Sequence, residues 1–289
     1  MQTKLRDANV KRYSEVAGDG GSGILEQVAG WMAALNKRVE KIRHIIVIVS
    51  AKGGVGKSFV TAMLAKELAG RGHLTGALDA DINGSSLPYL LDAESHRASI
   101  GENGALPARG SFGVKVMSLD YFIGLDGAPV SWQGPSATYP WLGSMEATAI
   151  RELLAGSDWG ELDYLLIDTP PSLARLTDLT GMLPSISGVV VVTTPSKVSY
   201  RVVLKSMERI YDTGAPVIGL VENMGGMVCR ECGARSPVFN GEDMGGALDY
   251  IKLPLLGTVP FVSEEGIGAA KAAISGICGE IIQRAGAAA

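Results

Sequence analysis

One stretch constrains this chain more than any other. The apolar run Ile45-Ile46-Val47-Ile48-Val49 leads directly into Ser50-Ala51-Lys52-Gly53-Gly54-Val55-Gly56-Lys57-Ser58, and a helical pattern begins at Lys57. Five consecutive β-branched apolar residues read as a strand buried on both faces, as in a parallel sheet. A strand, a glycine-rich loop and a helix in that order make an anion cradle. The glycines let backbone N–H groups curl around a phosphate, and the helix N-terminus adds its dipole. Lys57 then reaches the β- and γ-phosphates, and the Ser58 hydroxyl is placed to ligate magnesium. The usual pattern asks for glycine where Ala51 stands and so fails by one residue, whereas Gly56-Lys57-Ser58 fit it. The expected nucleotide-binding residues are Gly53, Gly54, Val55, Gly56, Lys57, Ser58 and Phe59.

The rest of the chain is compatible with that start. Further strands are expected at Leu74–Leu78, Val114–Met117, Tyr164–Ile167, Val189–Thr193, Val217–Val221 and Leu255–Val259. Helices are expected from Lys57 to about Gly70, at Ser144–Leu154, at Val198–Tyr211 and at Ile267–Arg284. This alternation predicts one α/β domain over residues 44–289, a three-layer P-loop fold with a mainly parallel twisted sheet. Ahead of it, Ile24, Leu25, Val28, Trp31, Met32, Leu35, Val39 and Ile42 recur at helical spacing. They predict an amphipathic helical extension over residues 23–43, docked on the main domain, and residues 1–22 read as a mobile arm. The segment from about Gly84 to Gly113 reads as a long excursion. Glycine, at 38 of 289 residues, is about twice the usual share, which suits close backbone approaches.

Composition removes several classes of function. The formal charge is −4, which gives no electrostatic case for nucleic acid or anionic membrane. The longest apolar runs are too short to cross a bilayer, and no secretory leader is visible at the N-terminus. Three cysteines in a chain this long do not make a disulfide scaffold. The expectation is a cytoplasmic protein with reduced thiols, with no nucleic-acid or membrane partner.

Two acidic sites follow the loop. Leu78-Asp79-Ala80-Asp81-Ile82 puts carboxylates at the C-terminal end of the second strand, beside the phosphates. Asp168 closes a second apolar run, Leu165-Leu166-Ile167-Asp168, ahead of Thr169-Pro170-Pro171. With the phosphate loop upstream, Asp168 is expected to hold magnesium.

A different chemistry sits at Cys229-Arg230-Glu231-Cys232-Gly233. Two thiolates at this spacing chelate one metal, but a tetrahedral site needs four ligands. Cys278 lies in the last helix, and the histidines (His44, His73, His96) are far away in sequence. One chain therefore supplies half a site, and a two-fold dimer would complete four thiolates. Four cysteines suit an iron–sulfur cluster or Zn2+. A thioredoxin-like redox pair remains a further reading, although the pair follows what reads as a glycine-rich turn without an obvious helix start after it.

Taken together, Lys52-Gly-Gly-Val-Gly-Lys57-Ser58 resembles the deviant Walker A motif of the family that includes ParA, MinD, the nitrogenase iron protein and the Mrp/ApbC proteins. The resemblance to the Mrp/ApbC iron–sulfur cluster carriers covers essentially residues 44–289. It extends to Asp79-Ala-Asp-Ile-Asn-Gly84-Ser, Gly113-Val-Lys-Val-Met-Ser118, Trp132-Gln-Gly-Pro135, the segment Asp158–Asp168, Val191-Val-Thr-Thr-Pro195 and the run from Glu222-Asn223-Met224 to the cysteine pair. It implies ATP binding and slow hydrolysis in a homodimer, and a labile 4Fe-4S cluster held between subunits by Cys229 and Cys232 for delivery to apo-proteins. It also implies a catalytic set: Lys52 crossing the dimer interface to the partner's nucleotide, Lys57 on the phosphates, and Asp81 orienting the attacking water. Asp79 would support the magnesium shell held by Ser58 and Asp168, and Asn223 would contact adenine, with Pro260 also at the nucleotide.

The chain departs from that pattern in places. Asp168-Thr-Pro-Pro-Ser-Leu-Ala-Arg175 is closer to ParA and MinD, proline is missing between Gly84 and Ser86, and residues 136–145 look inserted. Two other functions stay open at this point. One is an ATP-driven spatial-organisation switch like ParA or MinD, which has no need of the cysteines. The other is a metal-insertion ATPase for metalloenzyme maturation, with the same dimer and a different cargo.

Overall fold

A computed structural model of the chain describes residues 24–82, 84–96, 99–122, 139–171, 173–229, 232–239, 253–261 and 267–287. The expected arm over 1–22 lies outside them, as do residues 136–138 of the expected insertion.

Helix α1 (Ile24–Val39) precedes β1 (Ile42–Val49), whose C-terminal end runs into the phosphate loop and then α2 (Lys57–Gly70). β2 (Thr75–Asp79) is followed by the short helix α3 (Leu87–Leu90), a separate small hairpin of β3 (Ser99–Gly101) and β4 (Gly104–Leu106), and the edge pair β5 (Ala108–Arg109) and β6 (Lys115–Ser118). Then come α4 (Tyr139–Gly156), β7 (Leu162–Asp168), α5 (Ala174–Met182), β8 (Gly188–Thr193), α6 (Lys197–Asp212) and the long strand β9 (Val217–Val228). β10 (Arg235–Ser236), β11 (Leu255–Phe261) and α7 (Ile267–Ala287) complete the described elements.

The main sheet runs β10-β9-β8-β1-β7-β2-β6-β5, with β11 also paired to β9. Its ladders are parallel except at β5 and β10. From Ile45 to Val49 β1 is buried at every position, and β8 along its whole length, so residues pointing to both faces are covered. That burial explains why these strands are unbroken runs of Ile and Val rather than alternating patterns. α2 packs on α7, α1 on α4, and α4 on α5. Fully burying side chains such as Ile46, Ile48, Leu64 and Leu68 contributes about 1.5–3 kcal/mol each. The order of strands fixes where a ligand goes. The chain leaving β1 runs to β2 on one side, whereas β7 crosses to β8 on the other, so the crevice beyond the C-terminal end of β1 is the switch point of the sheet.

The sheet and its flanking helices are as expected, with four informative differences. The amphipathic pattern ends as a helix at Val39, and Ile42 instead pairs with Leu162 as the first residue of β1. Leu35 and Val39 are buried in the core, whereas Trp31, expected on the same stripe, is half exposed. The Gly84–Gly113 excursion holds α3 and the β3–β4 hairpin, and α5 is an additional helix. Finally, Met224-Gly225-Gly226-Met227-Val228 is no turn, because β9 continues through it to Val228. Gly225 permits this: a Cβ there would lie 1.9 Å from Thr258 Cγ2 on β11, so only glycine lets the two strands approach. Among the described residues, no helix is long and apolar enough to cross a membrane.

Candidate nucleotide site and cysteine hairpin

The loop between β1 and α2 forms one wall of an open cavity of about 300 Å³, lined also by Asp81, Ser86, Leu90 and Pro171. Gly54 (φ 76°) and Gly56 (φ 77°) take left-handed backbone conformations that L side chains rarely adopt. Gly56 is doubly fixed, because a Cβ there would sit 2.2 Å from Asn223 Nδ2. Gly56→Ala is therefore expected to weaken nucleotide binding at least tenfold and to lower the melting temperature, measurable by titration calorimetry and thermal unfolding. Phe59 lines the same cavity, half-buried in the first turn of α2.

Beneath the loop lies a buried charged cluster. Lys57 Nζ donates to Asp168 Oδ1 at 2.5 Å, with the side chains 6% and 0% exposed. Ser58 Oγ donates to the other carboxylate oxygen, and Thr61 Oγ1 donates to Oδ1 at 3.0 Å. Thr61 was not singled out from the sequence, although its place four residues after Lys57 puts it on the same helix face. Asp79 stands opposite Asp168 in the β2–β7 register. Its Oδ2 accepts hydrogen bonds from Ser85 Oγ and from the backbone N–H groups of Ser86 and Leu87, each at 2.9 Å, and its Oδ1 accepts from the N–H of Asp81 at 3.1 Å. Asp79 thus anchors Asp81 and the segment Ser85–Leu87. Burial, and after it the Asp168 carboxylate, push the Asp79 carboxyl up to about 7 against the pull of those bonds. Asp81 lies higher, at the cavity wall. Burial raises its pKa as well, while Lys57 opposes the rise. Two carboxylates and a hydroxyl converging here are hard oxygen donors, a set that suits Mg2+.

The other expected residues are distributed around this centre. Lys52 is exposed on the outer arm of the loop. Asn223 is buried on β9, and its amide donates to the Val55 carbonyl at 2.9 Å, so it ties the strand to the phosphate loop. Pro260 is buried in β11 beside Val259, the register partner of Asn223, and does not line the phosphate cavity. Further along β9, Glu222 accepts hydrogen bonds from the Tyr200 hydroxyl and from Thr258 Oγ1, joining α6 and β11 to the same strand.

The cysteines are elsewhere, at the tip of a hairpin. β10 pairs antiparallel with the end of β9, Arg235 opposite Val228 and Ser236 opposite Met227. The Cys229 N–H donates to the Ala234 carbonyl at 2.8 Å, and the Gly233 N–H to the Cys229 carbonyl at 2.9 Å, with Gly233 left-handed at φ 70°. Cys229 is half-buried and Cys232 exposed. Cys278 is separate from them, fully buried in α7, and burial pushes its thiol up to about 11. Among the described residues no group of three or more His, Cys, Asp or Glu side chains could hold a metal, so the pair stands as two ligands rather than four. β9 joins the two sites, with Asn223 at the phosphate loop and Cys229 just past its end, although the strand is bulged between them, where Met224 takes a left-handed backbone (φ 60°) and the pairing with β11 shifts register.

A doubly flanked parallel sheet, a glycine loop at its switch point and a Lys–Asp–Ser cluster below define a P-loop nucleotide-binding protein. Residues 41–273 match the model of the NUBPL iron-transfer P-loop NTPase family (ParA), and the chain belongs to that family. It is 39% identical over 230 residues to an iron-sulfur cluster carrier protein of Methanococcus maripaludis, covering 79% of this chain and 76% of that one. It is 35% identical to a cytosolic Fe-S cluster assembly factor NUBP2 homolog of Culex quinquefasciatus, covering 77% of this chain and 85% of the relative. Among solved structures, a nucleotide-binding protein of Archaeoglobus fulgidus in complex with ADP, with cobalt, superposes with a TM-score of 0.67 at 31% identity, covering 85% of this chain and 92% of that one.

Proposed function

We propose that this chain is an ATP-hydrolysing carrier of the Mrp/ApbC type, which holds a 4Fe-4S cluster between two copies and passes it to apo-proteins in the cytoplasm. The observation that carries the reading is the hairpin-borne Cys229/Cys232 pair at the end of the strand whose Asn223 grips the phosphate loop. Two thiolates per chain are half of a four-cysteine site, and a second copy supplies the rest. The cluster is cargo here, and an exposed hairpin tip lets it be surrendered to a client. The sequence relatives named as carriers and assembly factors support the same reading. Zn2+ is the competing occupant of four such thiolates.

At the nucleotide, Ser58, Asp79 and Asp168 are the residues that would hold Mg2+, which supplies charge neutralisation on the phosphates. Lys57 exchanges its bond to Asp168 for phosphate oxygens, and Asp81, at the cavity wall, orients water. Adenine contact by Asn223 would draw its amide from the Val55 carbonyl and so shift β9, with Cys229 at its far end. Lys52 is free to reach a facing protomer. Lys52→Ala is accordingly expected to lower ATP hydrolysis by about 10³-fold, by the precedent of cations supplied in trans, with the monomer's melting temperature unchanged. Phosphate release beside thermal unfolding checks it, and unchanged turnover would refute the cross-interface role.

The cargo is tested by anaerobic reconstitution with iron and sulfide, a visible spectrum, and iron and sulfide analysis. Iron and sulfide in similar amounts, released to an apo-ferredoxin, support the carrier, whereas zinc alone removes it and leaves a nucleotide switch with a structural knuckle.

A further inference from the structure

Three buried side-chain polar atoms have no hydrogen-bond partner among the described residues: His44 Nδ1, Tyr121 OH and Ser50 Oγ. His44 is stacked on Tyr164 at the opposite end of β1 from the loop, with ring centroids 5.0 Å apart. Tyr121 lies beyond β6, near Asp79. Of these three residues, only Ser50 lines the phosphate cavity. It is 1% exposed and follows directly on Val49, the last residue of β1. A hydroxyl so placed is costly. It has left water without gaining a partner, while an alanine of nearly the same shape would fill the position without that penalty.

The surroundings decide what partner would suit it. The same cavity wall carries the Lys57 side chain, the Ser58 hydroxyl and the N-terminus of α2, all of which favour an anion. Asp81 is the acidic residue in the lining, and Ser50 is a neutral donor that adds to the anion-favouring set without a charge. We infer that Ser50 is a further phosphate-contacting residue of the nucleotide site, its hydroxyl donating to a phosphate oxygen of the bound nucleotide. The inference rests on the nucleotide reading proposed above and adds to it a residue that the expected set Gly53–Phe59 does not include, at the start of the loop where β1 ends. A hydroxyl that is unsatisfied in the free chain and satisfied in the complex contributes to affinity on both counts, because binding removes the penalty as it forms the bond.

That gives Ser50→Ala an unusual combination of effects. In the free chain, carrying no cluster, the variant is expected to melt at the same temperature as the wild type or a few degrees above it. Its affinity for Mg-ADP and for a non-hydrolysable Mg-ATP analogue, measured by titration calorimetry, is expected to fall about tenfold, the range of one hydrogen bond to a charged acceptor. The nucleotide-induced rise in melting temperature shrinks accordingly. A residue with a merely structural role would give the reverse, a lower melting temperature of the free chain with affinity retained, and that result overturns the inference. Equal affinities of variant and wild type overturn it too, and leave the nucleotide reading standing. A wild type that binds neither nucleotide overturns both.

Discussion

A chain carrying Cys229→Ser and Cys232→Ser together is expected to leave anaerobic reconstitution with no protein-bound iron or sulfide, whereas the wild type is expected, on the proposed reading, to hold one cluster per pair of chains. The fold gives this substitution its clean meaning. The hairpin is closed by backbone bonds, Cys229 N–H to Ala234 O and Gly233 N–H to Cys229 O, which a serine side chain leaves intact. Cys232 is exposed and Cys229 half-buried, so neither thiol fills a core position whose loss would loosen the sheet. The melting temperature of the cluster-free chain is therefore expected to stay within about 2 °C of wild type. The ligand chemistry changes completely, because a serine hydroxyl is not deprotonated near neutral pH and makes a poor ligand to iron. Nucleotide affinity of the cluster-free chain should stay near the wild-type value, since neither cysteine side chain lines the phosphate cavity. Cys278→Ala supplies the contrast. That thiol is fully buried in α7 with its pKa raised to about 11, so its removal costs packing but leaves iron and sulfide at wild-type amounts. Wild-type amounts of iron and sulfide in the double variant would refute the hairpin as the cluster site.

The parts of this molecule that were legible in the sequence are those where one physical requirement dominates. β1 and β8 are buried on both faces, and only unbroken apolar runs satisfy that, so their existence was plain. The phosphate loop was equally plain, because left-handed backbone at Gly54 and Gly56 must be encoded by glycine itself. The extension of β9 was hidden for the same reason in reverse. Glu222-Asn-Met-Gly-Gly-Met has the composition of a turn, and its strand conformation is imposed by β11 and β10 on its edges. α5 was missed because Ala174–Met182 has weak helical propensity of its own. Its order comes from Arg175, which bridges Glu146 on α4 (3.0 Å) and Asp178 (2.5 Å), and from buried Leu176 and Leu179. The residues of the candidate site were readable one at a time, but their contacts were not. That Asp79 anchors Ser85–Leu87, or that Asn223 touches Val55, depends on how the chain packs around them, and no local pattern carries that information.

The second large effect is expected at Asp168, where stability and chemistry meet. Asp168→Ala should lower the free energy of unfolding by about 3–5 kcal/mol, because it leaves the Lys57 ammonium at 6% exposure without the carboxylate that compensates its burial. For a domain of this size that is on the order of 10 °C in melting temperature. The hydrogen bonds from Ser58 and Thr61 disappear with it. One compensation works the other way: Asp81, whose carboxylate Lys57 already favours, remains as a nearby acidic group and takes up part of the role of counterion to Lys57. The loss should accordingly fall toward the lower end of the range. Asp168→Asn separates the two functions. Its amide oxygen still accepts from Ser58 or Thr61 and preserves the shape of the cluster, so about half of the stability is expected to return. The negative charge proposed to hold magnesium does not return, and magnesium-dependent ATP hydrolysis should remain at least 10²-fold below wild type in both variants. Urea unfolding of the free chains beside phosphate-release assays at saturating magnesium measures the two effects separately. An Asp168→Asn variant that is both less stable and fully active would mean that Asp168 serves the fold alone, with Asp79 and Ser58 left to carry the metal.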